Sequence, residues 1–249
     1  MDQVNVISDY KENQARQANR AAPEIQMEET IMSAVAPELL GSSSLGPYRS
    51  ARSTALGNAT LYRIAASAGY GGALILLVNA AKRSGLIATT DLTQLLAPLA
   101  EILALGLVTG LFLAFGRRAA LFGTIAFVLH FISLASLEGV EVVINLVFSK
   151  LPMETIAVLV AGPLGLVLTI SSLLFLFSTL AFVATLAIGT RVPYVPLALY
   201  AVGAVPISLR AFVPELALDL GLVTLAIGVV WLAGCLWGHA TTVANTSAD

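Results

Sequence analysis

Five polar side chains inside apolar segments are the residues of this sequence best suited to chemistry. His130, Glu138, Glu141 and Asn145 lie in one stretch, and Glu101 lies in the apolar segment before it. At 100° per residue, the four residues of the stretch fall within about 80° of one another on a helix. Carboxylates and an imidazole on one face could bind a polar ligand or exchange protons with it.

The depth of these groups decides whether they meet water or lipid. Counted outward from Arg118, His130 lies about 18 Å along its helix, near the middle of a bilayer. Glu138 and Glu141 follow about 12 and 17 Å further on, at or beyond the outer boundary. We therefore expect both carboxylates to be solvated. A functional interpretation makes the polar stripe one wall of a cavity that opens outward. The alternative is a solvated helix end with one histidine hydrogen-bonded inside the bundle.

Glu101 is expected about one and a half turns from the outer end of its segment. A carboxylate inside a span costs roughly 2.5–3.5 kcal/mol and marks a functional site by default. It either faces the cavity, pairs with Arg210, or is stabilised by the positive end of its helix. A separate ion pair is predicted between Arg210 and Asp219, because a short turn joins their helices.

The composition indicates what must position these residues. The chain of 249 residues is 57% hydrophobic and 11% charged, whereas soluble domains have about 25% charged residues. Its apolar runs are long enough for transmembrane helices. The sequence therefore predicts an all-α, polytopic transmembrane helix bundle embedded in a lipid bilayer. A net charge of −2 without a basic block argues against nucleic acid as a partner.

Three regions are predicted along the chain. Residues 1–60 form a disordered polar tail and linker, residues 61–239 the transmembrane domain, and residues 240–249 a short polar tail. Six spans are expected, of which the third and fourth are long, at roughly 45–55 Å against a hydrocarbon core of about 30 Å. A kink is expected at Pro163. The predicted spans are 64–81, 96–116, 119–149, 155–190, 192–209 and 216–237.

The basic residues near the spans predict the orientation. An even number of spans places both termini on one side, and the side with more Lys and Arg is the cytoplasm. Six arginines then flank the cytoplasmic ends and four basic residues flank the outer ends. The inner group is Arg49, Arg52, Arg63, Arg117, Arg118 and Arg191, and the outer group is Lys82, Arg83, Lys150 and Arg210.

Motifs for catalysis or cofactor binding do not occur in the sequence. Metal-ligand spacing, a nucleophile elbow and a phosphate-binding loop are all absent, and Cys235 is the only cysteine. No catalytic residue, metal site or cofactor is therefore predicted. The Gly-x-x-x-Gly at 106–110 favours close helix packing within the chain over dimerisation, and the oligomeric state stays open.

The layout of the spans resembles a known group of proteins. "YRIAASAGYGG" opens the first span, two long segments follow, and "TRVPYVPLALYAVG" begins the fifth. This arrangement, over roughly residues 60–238, is similar to bacterial six-span integral membrane proteins of unknown function. The resemblance implies a bacterial inner membrane and no particular activity.

Two functions are compatible with these observations. The first is a non-enzymatic regulatory or structural module that acts through a membrane protein partner, since polar groups are scarce and chemical motifs are absent. The second is a carrier or receptor for a small, largely apolar molecule that uses the outward cavity. An intramembrane enzyme would normally carry a nucleophile–base pair or a metal motif. Glu101 and His130 facing one another across a cavity would favour the carrier or receptor.

Overall fold

The computed structural model describes residues 46–188 and 192–246, with side chains from residue 57 onward. Every regular element in these ranges is helical, so the all-α prediction is confirmed. The bundle belongs to a compact unit, Arg52–Asp249. In chain order the elements are α1 (Gly46–Arg83), α2 (Asp91–Phe115), a 3-10 turn (Gly116–Ala119), α3 (Ala120–Val142), a π-helical turn (Val143–Val147), a 3-10 turn (Phe148–Lys150), α4 (Met153–Ala161), α5 (Pro163–Ala187), α6 (Tyr194–Ser208) and α7 (Glu215–Thr246).

The first helix begins earlier than expected. Residues 46–60 were predicted to belong to a polar linker, but they are helical. Pro47 stands in the first turn, where a missing backbone donor costs little, and no proline follows until after α1 ends. Similarly, α7 continues to Thr246 through most of the predicted C-terminal tail. The predicted disorder of residues 1–45 lies outside the described residues.

A hairpin is formed by α2 and α3. The hydroxyl of Thr90 accepts from the backbone of Thr93 at 3.2 Å, and the Thr90 backbone donates to the Thr93 hydroxyl at 2.9 Å, which caps α2. The chain then reverses at Gly116–Ala119, where Ala120 has a φ of 48°, and α3 packs against α2. Helical turns extend α3 to Lys150, as the sequence predicts for the long third segment.

The fourth segment is two helices where one kinked helix was expected. Gly162 has an extended backbone, with φ −95° and ψ −163°, and separates α4 from α5. Pro163 is the cause, because its ring disfavours the helical conformation at the preceding residue and it starts a new helix readily. The break therefore lies where the sequence predicted a distortion.

Among the described residues, four helical stretches are long and apolar enough to cross a membrane, whereas six spans were expected. One of them, Asp91–Lys150, contains the whole α2–α3 hairpin, and α6 has only 15 residues. Large apolar side chains such as Leu121 and Phe177, 73% and 65% exposed, cover the outer surface of the bundle. Long apolar helices with an apolar exterior are compatible with a membrane protein.

Small residues bring the helices into close contact. A Cβ atom placed on Gly110 would lie 2.4 Å from the Cβ of Ala65, so the Gly-x-x-x-Gly of α2 packs against α1 within the chain. A Cβ on Gly203 would lie 2.5 Å from the backbone nitrogen of Leu225, where α6 crosses α7. This close packing is typical of helix contacts in lipid, and it leaves a cavity on one side of α1.

Candidate functional site

Several polar residues of the bundle line a cavity between α1, α2, α3, α5, α6 and α7. Its volume is about 80 Å³, which is room for several water molecules. Its wall follows α1 from Gly69 to Arg83, about 21 Å along the helix axis. We call the Arg83 end the mouth. The wall is mainly apolar, and its polar residues other than tyrosine are Asn79, Lys82, Arg83, Glu101, Glu141, Asn145 and Arg210.

Glu141 organises the side chains at the mouth. Its Oε1 accepts a hydrogen bond from Arg210 Nη1 at 2.8 Å, and its Oε2 accepts one from Asn145 Nδ2 at 2.8 Å. Asn145 Oδ1 in turn accepts from Lys82 Nζ at 2.9 Å. These bonds join α3 to both α6 and α1. Glu141 is only 16% exposed, so the carboxylate expected at a solvated helix end is instead partly buried and paired.

The predicted Arg210–Asp219 ion pair is wrong, because each side chain pairs with a different residue. Arg210 pairs with Glu141 as described, and Asp219 lies 3.6 Å from Nε of Arg83, which also pairs with Glu215. The ion pairs therefore connect α6 to α3 and α7 to α1. The sequence indicated only the short turn between α6 and α7, and it could not show that α1 and α3 present nearer partners.

Glu101 lies deeper in the cavity than the sequence suggested. It is the eleventh residue of α2, about 15 Å from the helix start, which is roughly three turns where one and a half were expected. It is half-buried and lines the cavity. Glu141, Arg210 and Glu138 act on it electrostatically. Of the alternatives considered for Glu101, the cavity-facing position is the one observed.

His130 is buried behind the cavity wall. It is 0% exposed and is not among the lining residues. Its Nε2 lies 3.0 Å from the Tyr200 hydroxyl and its Nδ1 lies 3.2 Å from Oγ of Ser178. Neutral imidazole has one donor and one acceptor, so both ring nitrogens are satisfied. Rings of Phe175 and Phe182 stack on it. His130 is therefore hydrogen-bonded inside the bundle, as the alternative interpretation of the sequence expected.

The polar stripe of α3 is therefore divided between two environments. Glu141 and Asn145 line the cavity, His130 is enclosed in the core, and Glu138 is half-buried outside the lining. Glu101 and His130 do not face one another. Tyr200 stands between the histidine and the cavity, since it contacts His130 and lines the cavity wall.

Sequence reasoning missed Tyr200, Asn79, Lys82 and Arg83 as site residues. Tyr200 and Asn79 carried a usable signal, because a polar group inside an apolar helix needs a partner or a cavity. In the sequence, Lys82 and Arg83 follow the end of a predicted span, where basic residues are common. Only the folded structure shows that they line the cavity. Within the described residues, no three His, Cys, Asp or Glu side chains are grouped so that they could hold a metal ion.

Comparison with protein families, with curated proteins and with solved structures finds no match to this chain. The function is therefore argued from the cavity alone.

Proposed function

We propose that this protein binds a small molecule in the cavity between its helices and acts as a membrane carrier or receptor. The cavity supports this proposal because it extends from charged groups at the mouth to an ionisable group, Glu101, deep in the bundle. Mainly apolar walls with a few convergent polar groups are typical of small-molecule sites. Ionisable residues inside a membrane bundle are typical of ligand and proton pathways.

We propose further that the chain crosses the membrane six times. The stretch Asp91–Lys150 has 60 residues, about 90 Å of helix, which is three times the hydrocarbon thickness. Its two halves pack against one another as α2 and α3, which supports two crossings. α6 is about 22 Å long and packs between α5 and α7, which supports a short crossing of its own. Together with α1, α5 and α7 these make six.

Six crossings place both termini on one side of the membrane. We assign that side to the cytoplasm, because six arginines flank it against four basic residues on the other. The cavity mouth, where α1 ends and α7 begins, then faces outward. The resemblance of the span layout to bacterial six-span proteins supports the inner membrane of a bacterium as the location.

A regulatory or structural module is the second candidate. It is supported by the hydrogen bonds of His130 with Tyr200 and Ser178, three buried side chains that hold α3, α5 and α6 together. A module of this kind would act through a membrane protein partner. His130 does not face Glu101 across the cavity, which also counts for the module, but the cavity lined by Glu101 makes the carrier or receptor the first candidate.

Co-purification tests the two candidates. The full chain and its Glu101→Gln variant are purified in mild detergent, and bound components are identified by mass spectrometry. A carrier or receptor should retain a small molecule that the variant loses while its folded yield is unchanged. Identical small molecules in both samples would contradict the proposal. A stoichiometric protein subunit in both samples, with no small molecule, would favour the module.

A further inference from the structure

The charged groups around the cavity are unevenly paired. Three cations line it, Lys82, Arg83 and Arg210, together with two carboxylates, Glu101 and Glu141. Arg210 pairs with Glu141, and Arg83 pairs with Asp219 and with Glu215, which is 79% exposed and faces solvent. Because buried charge is costly unless it is compensated, a carboxylate left out of these pairs requires a cation or a proton.

Glu101 is the carboxylate without a cation of its own. The other three belong to the ion pairs of Arg83 and Arg210. Arg210 acts on Glu101 electrostatically, but its Nη1 is bonded to Glu141. Lys82 donates to Asn145 near the mouth. Within the described part of the chain, Glu101 is therefore the carboxylate of the cavity wall that lies outside these ion pairs, deep between apolar walls.

A second acceptor faces the same cavity. Oδ1 of Asn79 is buried and has no hydrogen-bond partner, and Asn79 lines the cavity. A Cβ on Gly72 would lie 3.5 Å from the backbone oxygen of Ala100, which places Gly72 opposite the level of Glu101. Asn79 is two turns, or about 10 Å, nearer the mouth. Side chains tilt toward the start of their own helix, so Asn79 and Glu101 lean toward one another.

Two facing acceptors are complementary to a group that only donates. A primary ammonium has three donors and no acceptor, and its positive charge offsets the carboxylate. The wall beside Glu101 is formed by apolar and aromatic side chains, including Tyr200, Phe175 and Leu134. Such a wall suits an apolar ligand body, and aromatic rings attract ammonium ions. Nη2 of Arg210 is also buried without a partner, and it is a donor.

We infer that the ligand is a small amphipathic amine, which binds with its ammonium group between Glu101 and Asn79 and its apolar body against the cavity wall. This inference rests on the proposed function, because it names the chemical class of the molecule that the cavity takes. A carboxylate ligand would meet Glu101 as a like charge. An uncharged ligand would leave Glu101 to be neutralised by a proton.

Charge-selective thiol reagents test this inference in the purified full chain. Cys235, the only cysteine, is replaced by alanine, and Ala104→Cys places a thiol on the cavity wall one turn beyond Glu101. Modification rates are measured with aminoethyl, sulfonatoethyl and uncharged methyl methanethiosulfonate, each divided by its rate with free cysteine. The same rates are measured after adding Glu101→Gln. Glu154→Gln, an exposed carboxylate of α4, is the matched control.

The aminoethyl reagent should react at least about tenfold faster than the sulfonatoethyl reagent. Glu101→Gln should abolish most of this preference, and Glu154→Gln should leave it unchanged. Millimolar butylamine should slow the uncharged reagent more than butyrate or butanol does. If Glu101→Gln does not fold, the comparison of butylamine with butyrate and butanol still tests the inference, because it is made in the protein that keeps Glu101.

Two results would overturn the inference in distinguishable ways. If the anionic reagent reacts as fast as the cationic one, or Glu101→Gln changes nothing, the cavity is accessible but does not select amines. The proposed function then stands without the amine. If no reagent reaches the thiol at Ala104, the cavity is closed to solutes, and the proposed function fails together with the inference.

Discussion

At the scale of residues, Glu141 holds the mouth of the cavity together with both carboxylate oxygens. One oxygen accepts a hydrogen bond from Arg210 and the other accepts one from Asn145. The side chains of Glu141 and Arg210 are each about four-fifths buried. A partly buried guanidinium that loses its anion retains the desolvation cost without the compensating attraction. The neighbouring Glu138 has a different environment, because it is half-buried but lies outside the cavity lining.

Glu141→Gln should therefore destabilise the protein by about 1–3 kcal/mol. The glutamine keeps the shape of the side chain but removes the negative charge that Arg210 faces. Thermal unfolding of the purified protein in detergent measures the loss. Glu138→Gln is the matched control and should change stability by no more than about 0.5 kcal/mol. Equal effects of the two substitutions would contradict the role assigned to Glu141.

Residue identity alone predicted part of the site. Glu101, Glu141 and Asn145 were singled out because ionisable and amide groups are costly in an apolar helix, and all three line the cavity. His130 was singled out for the same reason but is satisfied inside the core. Helix counting placed Glu101 too near the start of its helix, because the helix begins at Asp91. It could not identify ion-pair partners, because Glu141 and Arg210 are 69 residues apart in the chain.

At the scale of elements, α6 and α7 pack closely against one another. The α-carbon of Gly203 faces the backbone of Leu225, with a Cβ position only 2.5 Å from its nitrogen. Backbone atoms cannot move aside as flexible side chains can. Both helices carry cavity residues, among them Tyr200 and Leu222. The spacing of α6 and α7 therefore sets the width of the cavity.

Gly203→Ala should separate α6 from α7 and destabilise the fold by about 1–3 kcal/mol. Gly139→Ala in α3 is the matched control, because a Cβ there meets nothing within 4 Å. Alanine favours a helix over glycine by about 1 kcal/mol, so the control should be neutral or slightly stabilising. Melting temperatures of the two variants, measured in the same detergent, compare them directly. A Gly203→Ala protein as stable as the control would contradict the close contact.

The sequence predicted most helices but not all of their boundaries. Apolar runs located α2, α3, α5, α6 and α7, and the Gly-x-x-x-Gly of α2 predicted close packing within the chain. The polar start of α1 was missed because it lacks apolar periodicity, although Pro47 at its first turn is a known helix signal. The break at Gly162 was treated as a kink, since the sequence does not show whether a proline bends a helix or ends it.

At the scale of the whole molecule, the direction of each helix through the membrane is the main expectation still to be measured. Six crossings with cytoplasmic termini assign the segments around residues 90, 152 and 213 to the outside. The segments around residues 118, 191 and 245 are then assigned to the inside. Six arginines flank the inner ends of the crossings and four basic residues flank the outer ends. This excess agrees with the preference of Lys and Arg for the cytoplasmic side.

Reporter fusions at those six positions test the topology. Alkaline phosphatase fused after residues 90, 152 and 213 should be active, because the enzyme matures only outside the cytoplasm. A fluorescent reporter that needs the cytoplasm should be active after residues 118, 191 and 245. A cytoplasmic signal after residue 152 would show that α2 and α3 do not each cross the membrane. A cytoplasmic signal after residue 213 would contradict a separate crossing by α6.

The central claim is that a solute-accessible cavity leads from the outer surface to Glu101. Single cysteines along α2, in the Cys235→Ala background, test it directly in intact cells with a membrane-impermeant trimethylammonium methanethiosulfonate added outside. Cysteines at Ala97, Glu101 and Ala104, which line the cavity, should be modified. Cysteines at Ile102, on the outer surface, and Val108, buried beyond the cavity, should not. Modification that follows the cavity face and stops before Val108 is the predicted result. Protection of Glu101→Cys and Ala104→Cys, or their modification only after the cells are opened, would contradict the account.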